Sequence, residues 1–169
     1  GDLSVDENLA FMARLHGVRD FAARREELLG FTRLSEFRTR PAGLLSGGMK
    51  KKLALAATRV HRPALILPVE LTTGVDPVSR RDFWVLLSVI RDQGVSILLT
   101  TPYLDEAERC DRVVLLHQGR LLDWSTPAAL TATLRGRVFE LTGPEPRRAA
   151  QLLRLRLGED LQVQMMGDR

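Results

Sequence analysis

Cysteine occurs once in this 169-residue sequence, at Cys110, tyrosine also once, and aromatic residues make up only 5%. A single cysteine excludes an intrachain disulfide and gives no reason to place the chain in an oxidising compartment. Cys110 reads as a small buried apolar residue. No apolar run approaches the ~20 residues that cross a bilayer, and no signal-peptide pattern opens the sequence. A cytosolic place, against a membrane protein if against anything, is therefore expected. Neither sign of charge dominates, since 25 Lys plus Arg stand against 21 Asp plus Glu for a formal net charge of +4. That excess is compatible with nucleotide, nucleic acid or anionic lipid, and selects none of them. His61 and His117 lie apart, with no Cys or carboxylate at ligand spacing, so both read as structural and no metal site is expected. Internal repeats and low-complexity tracts are absent too.

What is present suits one globular domain. Hydrophobic residues at 44% and charged residues at 27% are ordinary proportions. A chain of this length buries roughly two-thirds of its unfolded surface. Ser4 followed three positions later by Glu7 has capping-box spacing and predicts a helix start, with Leu9, Met12, Leu15 and His16 following at helical spacing. Phe21, Leu28 and Leu29 mark a second helix, residues 39–48 a loop, and residues 49–60 a third helix. The Lys50-Lys51-Lys52 run in it reads as a solvated face. The short apolar run Ala64-Leu65-Ile66-Leu67 then reads as a buried parallel strand. Asp76-Pro77 is a cap and first-turn pair, opening a helix that carries Phe83, Leu86, Leu87 and Ile90 and stops at Gly94. Residues 95–101 form another strand, a short helix follows from Leu104, residues 112–116 form a third strand, and Gln118-Gly119 turns into Arg120-Leu121-Leu122. Strands alternating with helices give an α/β class with a mostly parallel sheet. Beyond Ser125 come one more capped helix, a strand-like stretch at 138–141, an Arg-rich helix whose Leu152, Leu153, Leu155 and Leu157 fit a core-facing stripe, and Leu161-Gln162-Val163: a small α+β appendage.

The chemistry concentrates at Leu45-Ser46-Gly47-Gly48-Met49. Ser46 offers a hydroxyl, the two glycines allow close backbone approach to a phosphate, and the turn feeds a helix N-terminus that favours an anion. This pentapeptide resembles the signature of ABC-type ATPases, whose usual form ends in Gln. Residues 72–77 resemble the D-loop of that family, with Gly74, Val75 and Asp76 at its centre. Residues 100–108 resemble its switch segment, residues 113–122 the strand pair after it, and residues 3–9 the start of its helical subdomain. The resemblance covers residues 1 to about 130, with a helical subdomain to about residue 60 and a sheet core at 61–130. Residues 131–169 resemble loosely the C-terminal extension of drug-exporter and ABC-2-type members, here cut short.

The resemblance implies a partial P-loop NTPase fold and an ATP-binding subunit of an exporter that drives a membrane permease from the inner face of the membrane. Two such domains would pair, as like or unlike partners, with Ser46, Gly47 and Gly48 reaching the γ-phosphate of an ATP held by the other domain. The sequence departs from the family at several places. No Gly-x-x-x-x-Gly-Lys-Ser/Thr phosphate loop (Walker A) occurs, and the sequence opens with Gly1 just beyond where the Q-loop would stand. Val69 occupies the position of the Mg²⁺-organising Asp and has no oxygen to offer. Glu70 falls on the catalytic carboxylate, Pro102 on the switch His, and Pro68 where a central strand should donate an N–H. ATP and Mg²⁺ are accordingly expected only in a composite site completed by a partner or an upstream segment, and hydrolysis by this chain alone is not expected. The other reading is a non-enzymatic module that docks on a permease, or a remnant of one. A nucleic-acid role rests on net charge alone; the helix bearing Arg147, Arg148, Arg154 and Arg156 has no aromatic residue for bases to stack on, and none is expected. The strands and helix that would cover the sheet are not in this sequence, so this stretch by itself is expected to expose an apolar face and dissolve poorly. A cooperative, monomeric thermal transition would contradict that expectation.

Overall fold

Ser4 starts the first helix by exchanging hydrogen bonds with Glu7. The Glu7 backbone N–H donates to Ser4 Oγ at 3.2 Å, and the Ser4 N–H donates to Glu7 Oε2 at 2.7 Å. The computed structural model describes residues 2–133, 139 and 142–157. Most of the stretch expected at 138–141, and all of 161–163, lie outside the described residues. Two compact units divide the chain, Gly1–Ala107 and Glu108–Arg169.

The first unit begins with helices α1 (Val5–Leu15), α2 (Phe21–Thr32) and α3 (Gly47–Thr58). They close on a core that includes Val5, Leu9, Leu28, Leu29, Leu53 and Ala56. Helix α3 starts at Gly47, two residues earlier than its apolar periodicity suggests, because Ser46 caps it. Leu15 stands 66% exposed, while neighbouring His16 stacks on His61 with ring centroids 4.0 Å apart.

A second core lies between strands and helix α4 (Pro77–Asp92). Phe83, Leu86, Leu87 and Ile90 recur at i, i+3, i+4 and i+7, and all four are buried against Leu55, Ile66 and Val75. Strands β1 (Leu65–Ile66) and β2 (Ser96–Ile97) pair in parallel, and an isolated parallel bridge joins Val69 to Thr100 beyond them. Between those two pairings the ladder misses a rung. Leu98 N–H donates to Ile66 and Thr100 N–H to Pro68, but Pro68 has no N–H to return. Ile66 faces α4, whereas Leu65, Leu67, Val69 and Leu98 are exposed on the other side of the ladder. Helix α5 (Leu104–Ala107) closes the unit.

In the second unit β3 (Val113–His117) runs antiparallel to β4 (Arg120–Ser125). The turn needs left-handed backbone at both central residues, supplied by Gln118 (φ 48) and Gly119 (φ 73). The stretch expected as a third strand of the alternating sheet therefore pairs within this hairpin and not with β1 or β2. Thr126 Oγ1 accepts the Ala129 N–H at 3.2 Å and caps α6 (Pro127–Thr133). On α7 (Pro146–Leu157) Ala150 is buried, but Leu152 and Leu155 are exposed, so the expected core-facing leucine stripe does not form among the described residues. Among the described residues no helix is long and apolar enough to cross a membrane.

Phe83 is fully buried, and Phe83→Ala should lower unfolding free energy by about 3–5 kcal/mol in urea denaturation. Phe11, 57% exposed on α1, should cost less than ~0.5 kcal/mol when truncated in the same way.

Candidate functional site

The turn before α3 has an anchored end on each side and an open middle. Leu45 is buried and Met49 packs on the helical core, while Ser46 and Gly47 are exposed. Ser46 adopts an extended backbone, and its Oγ accepts the Met49 N–H at 3.3 Å. Gly47 and Gly48 form the first helical turn, where backbone N–H groups lack intrahelical acceptors. A side chain at Gly48 would meet Ser79 Oγ at 3.4 Å, so the first turn of α3 lies against the first turn of α4.

That neighbouring turn is the D-loop-like segment. Gly74 takes φ 70, a left-handed value that a residue with Cβ adopts only at a cost. Asp76 then caps α4, its Oδ1 accepting the Ser79 N–H at 2.9 Å. The Ser79 hydroxyl, and then its backbone N–H, hold the Asp76 carboxyl below the usual carboxylate range. Lys51 ties the two turns together by donating to the Thr73 carbonyl and, at 3.5 Å, to the Glu70 carbonyl. Its neighbour Lys52 pairs with Asp82 at 3.0 Å, so the lysine run is only partly a solvated face.

At the strand end, Val69 is 75% exposed and offers only hydrocarbon. Glu70 is exposed and sits at φ 47, a left-handed backbone uncommon for a residue with a side chain. Its N–H donates to the Thr100 carbonyl at 3.1 Å and lies 3.3 Å from Thr100 Oγ1. The β1–β2 pairing thus carries the Glu70 backbone to the segment that contains Pro102. Pro102 is exposed and has no side-chain donor.

A buried carboxylate joins the D-loop-like turn to that segment. Glu106 is 2% exposed. Thr72 Oγ1 donates to its Oε1 at 2.6 Å and Thr101 Oγ1 to its Oε2 at 2.7 Å. Thr101 Oγ1 also accepts the Tyr103 N–H at 3.0 Å, which fixes the backbone on both sides of Pro102. Arg80 stands 3.7 Å from Glu106 and lies 4.1 Å over the Tyr103 ring. Reading the sequence missed Glu106, Thr72 and Lys51 as working residues. Thr101 and Glu106 five positions apart at a helix start are a faint local signal; Thr72, 34 positions from Glu106, gives none.

No protein-family model matches the chain. It is 47% identical over 145 residues to a probable multidrug ABC transporter ATP-binding protein, YbhF of Escherichia coli K12, covering 85% of this chain and 25% of that protein. It is 39% identical over 149 residues to the Nod factor export ATP-binding protein I of Burkholderia orbicola, covering 86% of this chain and 49% of that protein. The chain thus spans between a quarter and a half of these relatives' lengths. Among solved structures, an ATP-binding subunit of an ABC transporter superposes with a TM-score of 0.69 at 28% identity, over 82% of this chain and 59% of that one. The cbiO1 subunit of Clostridium perfringens, part of an ABC transporter complex, superposes with a TM-score of 0.68 at 23% identity, over 93% of this chain and 59% of that one, a likeness of fold. These likenesses support the α/β, partial P-loop NTPase architecture.

Thr72→Val removes one donor from a buried carboxylate and should destabilise the first unit by about 1–3 kcal/mol in urea titration, with Thr72→Ser largely restoring it. Because the folded Asp76 carboxyl is held below its ordinary range, its contribution to stability is complete above that range and is lost as pH falls through the lowered folded value. Asp76→Asn should therefore flatten the acid limb of a stability–pH profile and leave the neutral region little changed.

Proposed function

Because the chain belongs to the ATP-binding domains of ABC transporters, we propose that it is the signature-bearing part of an exporter's ATP-binding subunit, working against a membrane permease from the cytoplasmic face. The ABC-like part runs to about residue 130, with the remainder a C-terminal extension. The observation that carries this reading is the joined pair of helix starts. Ser46 and Gly47 are open at the first turn of α3, Gly48 lies where an added side chain would meet Ser79 at the first turn of α4, and Lys51 fastens the D-loop carbonyls to α3.

Such a surface suits a phosphate presented from outside. The first-turn N–H groups of α3 and the Ser46 hydroxyl would meet the γ-phosphate of an ATP bound to the phosphate loop of a second ATPase domain, with the helix dipole favouring the negative charge. Leu45 and Met49 would hold the turn from below, and Gly74, Val75 and Asp76 would line the same dimer face. Nucleotide binding on this side asks only for donors, and the residues fit it.

The residues at the strand end do not fit Mg²⁺. Val69 supplies no oxygen, which leaves Glu70 as a lone exposed carboxylate at that place. Glu70 could orient an attacking water, but Pro102 provides no donor to the γ-phosphate. One missing preorganised donor typically lowers turnover by about 10²–10³. Turnover through this half of the dimer is therefore low, and the competent phosphate loop belongs to the partner domain or to sequence outside this stretch. The non-enzymatic alternative, a permease-docking module, draws its support from the same two positions, Val69 and Pro102.

Labelled ATP should be retained by the chain only when a partner ATPase domain with an intact phosphate loop is added, and Ser46→Arg should abolish that ATP-dependent association. A partner-independent ATPase rate that Glu70→Gln removes would overturn the proposal. Association with a permease that ignores nucleotide would establish the docking module instead.

A further inference from the structure

Away from the signature turn, the first unit contains an open cleft of about 440 Å³ lined by Arg24, Glu27, Arg59, Arg62, Gln93 and their neighbours. Its charge is unbalanced. Arg24 and Arg59 are only 5% and 6% exposed, yet the carboxylate among the lining residues is Glu27, whose side chain is 49% exposed. Arg24 uses Nη1 on Glu27 at 2.6 Å and Nη2 on the Arg59 carbonyl at 2.6 Å, and Arg59 uses Nη2 on Gln93 Oε1 at 2.7 Å. Arg24 Nε and Arg59 Nε and Nη1 remain buried without a hydrogen-bond partner.

Guanidinium does not escape burial by losing its proton at neutral pH, so both charges persist with little access to water. Two buried cations that share the single carboxylate of Glu27 are short of counter-charge, and an oriented buried N–H without an acceptor adds to the cost. Burial, and next the proximity of Arg24, push the Arg59 guanidinium below its ordinary range. Arg62, exposed at the rim on a left-handed backbone (φ 52), adds a third cation.

We propose that this cleft binds a small oxyanion, the phosphate or carboxylate group of a free metabolite, between Arg59 and Arg62 with Arg24 supporting the site from behind. An oxyanion supplies what the cleft is short of: negative charge beyond that of Glu27, and several acceptor lone pairs. The cleft is of the size that small-molecule sites occupy. Its lining residues include none of Ser46, Glu70 or Asp76, so the site does not depend on the nucleotide reading.

The test is thermal unfolding and calorimetric titration of the complete protein with inorganic phosphate and, separately, acetate. Chloride at matched ionic strength serves as the control, and a non-hydrolysable ATP analogue is present throughout to fill any nucleotide site. Phosphate, acetate or both should raise the melting temperature beyond chloride, and which of them does so identifies the oxyanion. Arg59→Leu and Arg62→Ala should each weaken the apparent affinity by about tenfold or more, the loss of a charge-assisted hydrogen bond. Ser46→Ala should leave it unchanged. If Arg59→Leu fails to fold, Arg62→Ala, at an exposed position, decides alone. Equal stabilisation by chloride, or full anion response in the folded arginine variants, would overturn the proposal. So would an anion response abolished by Ser46→Ala.

Discussion

Glu106 sets the shape of the candidate site because a buried carboxylate tolerates few arrangements. With almost no access to water it must take its hydrogen bonds from the protein, and it takes them from Thr72 on one loop and Thr101 on another. Moving either loop would strand a charge in an apolar place, so the two loops hold their spacing together. Arg80 adds a second tie, set between the carboxylate and the ring of Tyr103. The D-loop-like turn and the segment around Pro102 are thus one mechanical piece, and α3 joins it through Lys51.

The main chain around residues 69 and 102 is held by bonds that do not involve their side chains. Val69 keeps its parallel bridge to Thr100, and Glu70 keeps its backbone bond to the same residue. Both interactions are made by the main chain and are indifferent to which side chain stands at 69. Proline at 102 is likewise accommodated, because the bonds that fix its surroundings belong to Thr101 and Tyr103. Valine at 69 and proline at 102 offer no side-chain oxygen or nitrogen to a ligand.

Features with a local cause could be read from the residues alone. The Ser4–Glu7 box, the Asp76 cap, and the spacing of Phe83, Leu86, Leu87 and Ile90 each depend on neighbours within two helical turns, and each forms where expected. The Ser46 cap could be anticipated from its glycines, although the helix begins earlier than its apolar pattern. Features with a distant cause could not be read. Leu152 and Leu155 have core-like spacing, but spacing does not say whether a surface exists to receive them. The turn at Gln118-Gly119 is legible from its own residues, whereas the place of residues 113–117 outside the β1–β2 ladder is not. Burial of Arg59 and Glu106 depends on partners more than thirty positions away.

Pro68 has a consequence for the fate of the unfolded chain. Residues 64–69 form an uncharged, apolar, strand-prone run of the kind that stacks between molecules into cross-β aggregates. In the fold that run leaves Leu65, Leu67 and Val69 on an open face, and every passage through an unfolded state uncovers the rest of it. Proline next to its end withholds one backbone donor from any added strand, whether native neighbour or foreign copy. The residue that spoils a rung of the native ladder therefore also acts as a gatekeeper, blunting the run as a template for its own copies.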